Sequence, residues 1–397
     1  MKNILFASYG GGHVNMLSPL YELALKDKNI KAHYFALTTA QNTLKEKKLP
    51  FFSYSDLIGS NKLAIKLGKQ LLCEMGDSKI IPTQESIAYL GLSYLDLIQT
   101  HGESKALALY KDMGRHAFLQ KATAKQVLEE LKPDLLISTN SPKTEEALIR
   151  TASEKGIPTI IIIDLFSQKE INERLGEDNY GSKLCVSTPY MKDLLILSGR
   201  KPTEIVITGN PAFDQLIENT KLFNTKNLRA KRDWQDKKII LWAKQSHPNS
   251  TEINKEIEVK LFELVSTDEN FALIFRPHPN DTETYSEYSH KSVYISKEPS
   301  SELPAILKTS NIALSINSTT IFEAALLGIP SFTIEYSNFT ENLSFAKAGI
   351  TTGIYSIDNL ISTLKGPSNI RALKNLPQLG TAKKLIFDII SSSSRRL

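Results

Sequence analysis

Short apolar runs alternate with segments of helical periodicity along most of the chain. This is the pattern of strands feeding helices in a doubly wound parallel sheet. Ile4 to Ser8 reads as a first strand, and Met16, Leu17, Leu20, Leu23 and Ala24 give the next segment one apolar helical face. Ala32–Leu37 reads as a second strand and Phe51–Tyr54 as a short third. From about residue 61 to 131 the pattern is mostly helical, with breaks at Ile81-Pro82 and Thr100-His101-Gly102, which predicts a helical insertion. Strand patterning resumes at Asp134–Ser138, Thr159–Ile163, Leu184–Ser187 and Glu204–Thr208. Lys132-Pro133-Asp134 and Gly156-Ile157-Pro158 mark helix-to-strand boundaries.

A second βα series starts at Lys238–Ala243 and continues through Ile274, Val293, Leu314, Phe332 and Ile354. The polar stretch between the two series is the expected linker. The expected layout is a first domain over residues 1–218, a linker over 219–237, a second domain over 238–378, and a closing helix and tail over 379–397. That helix, about Thr381 to Ile390, is expected to return to the first domain. A chain of 397 residues exceeds what one core usually fills, so two α/β domains of Rossmann-like, doubly wound parallel sheet facing a cleft are expected.

Composition narrows the function classes. Forty-eight basic and forty-three acidic residues leave a net charge of +5, too mild a field to imply a nucleic-acid partner. Cys73 and Cys185 follow no metal or redox spacing, and the first residues lack a signal-peptide pattern, so a cytoplasmic location is expected. Lys62, Lys66 and Lys69 share helical spacing beside Leu63, Ile65 and Leu67. They make a solvated face, or a basic face for an acceptor or for peripheral contact with the inner membrane surface.

The candidate chemistry sits at strand ends, where open parallel sheets bind ligands. Gly10, Gly11 and Gly12 follow the first strand and permit close approach of a ligand to a helix N-terminus. His13, next in sequence, suits proton removal from a hydroxyl near neutral pH. The loop does not match the dinucleotide fingerprint. In the second domain, Arg276-Pro277-His278-Pro279 ends one strand and Asn317-Ser318-Thr319-Thr320 ends another. Arg276, His278, Ser318, Thr319 and Thr320 offer donors to phosphate, and Glu323 offers a carboxylate to ribose hydroxyls. Gln245 and Ser246, after the strand that opens this domain, are further donor-phosphate candidates. Asp164 and Glu170 flank a strand end of the first domain as candidate acceptor contacts or a second base. No metal-binding motif is present in the sequence, and no cofactor is expected.

Taken together, these residues resemble the two-domain GT-B glycosyltransferases. Gly10-Gly11-Gly12-His13-Val14 with Ser18-Pro19-Leu20 is similar to the first loop of plant-type and antibiotic glycosyltransferases and of the lipid II-forming N-acetylglucosaminyltransferase. That resemblance implies that His13 is the base activating an acceptor. Gly209-Asn210-Pro211 with Phe213-Asp214 resembles the end of the first domain in UDP-N-acetylglucosamine 2-epimerases and their glycosyltransferase relatives. The Arg-Pro-His-Pro and Ser-Thr-Thr segments resemble those of bacterial sialyl-, polysialyl- and Kdo-transferases and of CDP-glycerol glycerophosphotransferases. There the equivalents of His278, Ser318 and Thr319 contact the nucleotide and its phosphate. Glu323-Ala324 with Gly328-Ile329-Pro330 is similar to the ribose-binding helix of the superfamily. The epimerases carry Arg-Pro-Glu and His-Arg-x-Glu-Asn loops where this chain has Gly-Gly-Gly-His and Lys-Gln-Ser-His.

The resemblance implies an inverting, metal-independent transferase. Its donor is a CMP- or UDP-linked sugar and its acceptor a hydroxyl of a glycan or lipid-linked glycan of the bacterial surface. A nucleotide-sugar 2-epimerase and a non-catalytic nucleotide-sugar binding protein are the alternatives.

Overall fold

The computed structural model describes residues 1–164, 168–214, 216, 220, 225–245, 250–278, 281, 284–297, 302–337, 344–367 and 379–393. The chain forms two compact units. One comprises Met1–Leu165, Glu170–Ala212 and Gly380–Leu397, the other Phe166–Lys169 and Phe213–Leu379. Each holds a six-stranded, wholly parallel sheet flanked by helices, the two-domain α/β arrangement of the GT-B fold. Among the described residues no helix is long and apolar enough to cross a membrane.

In the first unit the strands are β1 (Lys2–Ser8), β2 (Ile30–Ala36), β3 (Leu135–Thr139), β4 (Thr159–Ile162), β5 (Lys183–Val186) and β6 (Ile205–Ile207). Their order is β2-β1-β3-β4-β5-β6, so the chain winds one way from β1 and then the other. The switch point lies between β1 and β3, where Ala7 is in register with Ser138. The strands are apolar almost throughout because helices cover both faces. Phe51–Tyr54 departs from the expected strand. After one bridge from Phe52 to Phe35, Ser53 and Asp56 cap each other's backbone and start a helical turn over Tyr54–Leu57. This capping box takes up donors that a strand would have left for a neighbour.

The helical insertion consists of Lys62–Met75, Thr83–His101, Glu103–Met113 and Lys121–Leu131. Its first two helices meet at Gly68 and Gly91, where an added Cβ on either would overlap a backbone carbonyl of the other helix. Lys62, Lys66 and Lys69 lie on the exposed face. The closing helix, Ala382–Ser392, buries Ile386 and Ile390 in the first unit's core. Lys2 Nζ donates to the Ile390 and Ser393 carbonyls, both at 2.6 Å, placing a cation on the negative end of that helix.

The second unit has β7 (Lys238–Ala243), β8 (Phe271–Arg276), β9 (Val293–Ile295), β10 (Ile312–Ser315), β11 (Ser331–Ile334) and β12 (Thr352–Ile354), ordered β12-β11-β10-β7-β8-β9. Here the switch point falls between β7 and β10. Within the polar 219–237 stretch, the Thr225–Lys231 helix and the buried Trp234 pack on this unit. Trp234 donates to the Lys291 carbonyl at 3.2 Å, and Arg229 donates to the Thr309 carbonyl at 2.8 Å.

Candidate nucleotide-sugar site

In the first unit the candidate residues gather at the C-terminal edge around the β1/β3 switch point. Gly10, Gly11 and Gly12 lead from β1 into the Gly12–Lys26 helix. A Cβ on Gly10 would overlap Thr39 Oγ1 and stand 2.9 Å from the Thr39 carbonyl carbon, so only glycine lets the loop pass. Gly11 sits at φ 66°, a conformation L side chains rarely adopt, and no side chain caps the helix that follows. A Cβ on Gly12 would lie 3.6 Å from Asp164 Oδ2, which brings Asp164 beside the loop.

His13 is half-buried, and its Nδ1 lies 2.7 Å from Thr139 Oγ1 at the end of β3. Thr139 Oγ1 in turn donates to Glu145 Oε2. Glu145 stands on the first turn of the Thr144–Glu154 helix and is fully buried. It also accepts the Thr139 amide at 2.9 Å, the Tyr9 amide at 2.8 Å and the Ser138 hydroxyl at 3.1 Å. One carboxylate therefore ties the end of β3 to the start of the glycine loop. Neighbouring Thr144 accepts or donates hydrogen bonds with the phenols of Tyr9, at 2.9 Å, and Tyr54. Burial pushes both phenols well above their ordinary value.

Asp164, just past β4, receives the Asn210 amide at 3.4 Å, and its own backbone N–H donates to Asn140 Oδ1 at 3.1 Å. Burial raises its carboxyl above the usual range. Glu170 pushes the same way and His13 opposes them. Glu170 pairs with the buried Arg174 at 2.7 Å, and Arg174 also donates to the Asn140 carbonyl at 3.0 Å. The structure thus brings His13 and Asp164 together and links Glu170 to them through Arg174 and Asn140. Sequence reading missed Thr139, Asn140 and Glu145. The available signal was position: they end the strand on the far side of the switch point and open its helix.

In the second unit Ala243, Arg276 and Ser315 lie in register across the ends of β7, β8 and β10. Arg276 is 9% exposed and donates to Ser296 Oγ at 3.1 Å. Burial lowers the pKa of its guanidinium, against the opposing attraction of Glu302 and Glu323, which places Glu323 within electrostatic reach. Ser318 caps the Thr319–Leu326 helix by accepting the Thr320 amide at 3.3 Å, and its own amide donates to Ser315 Oγ at 3.2 Å. Ser315 Oγ donates to the Ala243 carbonyl at 2.7 Å, joining β10 to β7 at the switch point. Thr319 is exposed, while Thr320, Glu323 and Gln245 are half-buried. The Gln245 carbonyl accepts Asn254 Nδ2 at 2.7 Å.

His278 is half-buried and its carbonyl accepts the Asp281 amide at 2.8 Å. Ser246, His247 and Pro279 lie outside the described residues. A further group, also missed in sequence, ties the residue after β7 to Asp281, Glu258 and Tyr285. Lys244 Nζ reaches Asp281 at 3.3 Å, Glu258 at 3.6 Å and the Tyr285 hydroxyl at 2.8 Å, with all three charged side chains nearly buried.

Residues 167–390 match the model of the UDP-N-acetylglucosamine 2-epimerase family. No curated protein matches the sequence. Among solved structures, UDP-GlcNAc 2-epimerase from Neisseria meningitidis, bound to UDP-GlcNAc, is 14% identical with a TM-score of 0.63, covering 98% of this chain and 100% of its own. The Methanocaldococcus jannaschii UDP-GlcNAc 2-epimerase in complex with UDP-GlcNAc and UDP is 18% identical with a TM-score of 0.62, at 98% and 99% coverage. The glycosyltransferase of kitacinnamycin is 13% identical with a TM-score of 0.56, at 98% coverage of both chains. At these identities the solved structures speak for the fold. The family match spans more than half of the sequence, and the chain belongs to the UDP-N-acetylglucosamine 2-epimerase family.

Proposed function

We propose that the protein is an inverting, metal-independent glycosyltransferase within this family. It moves a sugar from a CMP- or UDP-linked donor to a hydroxyl of a bacterial surface glycan. The observation that carries this reading is the His13 ring on the strand-end edge, with Nδ1 engaged by Thr139 and Nε2 left for a substrate proton. As the acceptor oxygen bonds to the anomeric carbon, its proton passes to Nε2, and the bond to phosphate breaks with its electron pair leaving on the nucleotide. Displacement in one step inverts the anomeric centre. On the donor side, Arg276, His278, Gln245, Ser318, Thr319 and Thr320 supply positive charge and donors for the departing phosphate, and Glu323 accepts ribose hydroxyls. UDP or UDP-GlcNAc bound to the structural neighbours supports a nucleotide-sugar ligand.

Sugar 2-epimerisation is the second reading. It is favoured by the family match and by Asp164, an acid whose carboxyl is raised by burial beside His13, since proton exchange at a sugar carbon requires an acid and a base. The test is a set of melting curves with CMP, CDP, UDP, GDP and dTDP, followed by transfer assays with sugars of whichever nucleotide stabilises the chain. Acceptor-dependent release of the nucleotide, lost in His13→Ala, is the expected result. Full activity in His13→Ala removes the base assignment.

A further inference from the structure

His13 does not stand alone. We propose that Thr139 and Glu145 form a positioning relay that holds the His13 ring in the tautomer with its proton on Nδ1 and its Nε2 lone pair free. This deepens the transferase reading and rests on it for its catalytic consequence, though the tautomer itself does not. A carboxylate only accepts hydrogen bonds, so the single Thr139 hydroxyl proton is committed to Glu145. The remaining lone pairs of Thr139 Oγ1 face His13 Nδ1 at 2.7 Å, and a contact of that length requires a proton on the nitrogen. The direction of every bond in the chain then follows: Nδ1–H to Thr139, Thr139 O–H to Glu145.

Glu145 has little freedom to give up that hydrogen bond. It is fully buried, and the Tyr9 and Thr139 amides fix both of its oxygens. Thr139 is also fully buried, so water does not compete for its hydroxyl. Asp164 lies beside the same ring, reaches it only through space, and its carboxylate has its own partner in the Asn210 side chain. When Nε2 takes the acceptor's proton, the positive charge on the ring is met by the Glu145 charge one hydroxyl away. No proton moves along the relay. Thr139 holds orientation and Glu145 supplies charge, as second partners of catalytic and metal-bound histidines do.

The test uses the full chain with Thr139→Val, which keeps the shape and removes the hydroxyl, and Thr139→Ser, which keeps the hydroxyl. Loss of the tautomer-setting partner costs a serine-protease triad about 10⁴-fold. A neutral relay hydroxyl is expected to cost Thr139→Val roughly 10²–10⁴-fold in kcat, with KM for the donor sugar little changed and Thr139→Ser within a few-fold of wild type. A second readout needs no turnover. Nitrogen NMR of histidine-labelled protein should find the neutral His13 ring protonated on Nδ1 in wild type and Thr139→Ser, and on Nε2 in a substantial fraction of Thr139→Val. An unchanged ring in Thr139→Val overturns the relay. So does full activity of Thr139→Val where His13→Ala is inactive. If His13→Ala is itself fully active, His13 is not the base, and the NMR spectrum alone decides whether the relay exists.

Discussion

Replacing Glu145 by glutamine exchanges one oxygen for an NH2 group and leaves the size of the side chain unchanged. Oε2 takes the Thr139 amide at 2.9 Å, the Thr139 hydroxyl and the Ser138 hydroxyl at 3.1 Å, whereas Oε1 takes only the Tyr9 amide at 2.8 Å. The amide therefore settles with its oxygen toward Thr139 and its NH2 against the Tyr9 N–H, two donors facing each other. Orphaning the Tyr9 amide costs about 1–3 kcal/mol, and the remaining bonds lose their charge assistance at roughly 1 kcal/mol each. Removing a buried charge returns part of this. The net destabilisation is about 2–3 kcal/mol, or roughly 4–12 °C in Tm for a domain of this size. Calorimetry measures the shift, and hydrogen exchange at the Tyr9 amide, protected in wild type, should become fast. A Tm within about 1 °C of wild type, or a Tyr9 amide still protected, would refute the reasoning.

Lys244→Met should destabilise the second unit by about 3–5 kcal/mol in urea unfolding, because it leaves the Asp281 and Glu258 carboxylates buried without their shared cation. Adding Glu258→Gln should recover part of that loss; strict additivity would contradict the coupling. Asp164→Asn should melt higher than wild type at pH 7. Burial raises the folded-state value of Asp164, so the native protein holds that proton more tightly than the unfolded chain and loses stability as pH rises through the folded value. The advantage of the variant should therefore vanish as pH falls below about 3.9, the usual value for an unfolded aspartate. A gain that persists at pH 3 would mean that burial of the charge is not its source.

The fold was legible because periodicity alone separates strands that are apolar throughout from helices with one apolar face. Ile4–Ser8 and Lys238–Ala243 needed nothing more. The Phe51–Tyr54 segment was not, because its aromatic residues suit a strand while the Ser53/Asp56 capping box, a local hydrogen-bond exchange, decides for a turn. In the candidate site, the glycines and His13 stood out through their spacing after a strand. Glu145 and Thr139 did not, since Thr144-Glu145 at a helix start reads as ordinary capping and Thr139 as the end of a strand, and only the β1/β3 pairing brings them to His13. Lys244 was hidden for the same reason: its partners Glu258 and Asp281 are set by the sheet order, not by nearness in sequence.

Transfer to a hydroxyl and epimerisation differ in which bond of the sugar is touched, so the fate of the donor sugar in D2O separates them. The enzyme is incubated in D2O with the nucleotide sugars that bind it, with and without a glycan acceptor, and the products are read by NMR. The account predicts nucleotide release that depends on both acceptor and His13, a glycoside with inverted anomeric configuration, and no deuterium at the sugar's second carbon. Acceptor-independent turnover that deuterates and inverts that carbon would contradict it.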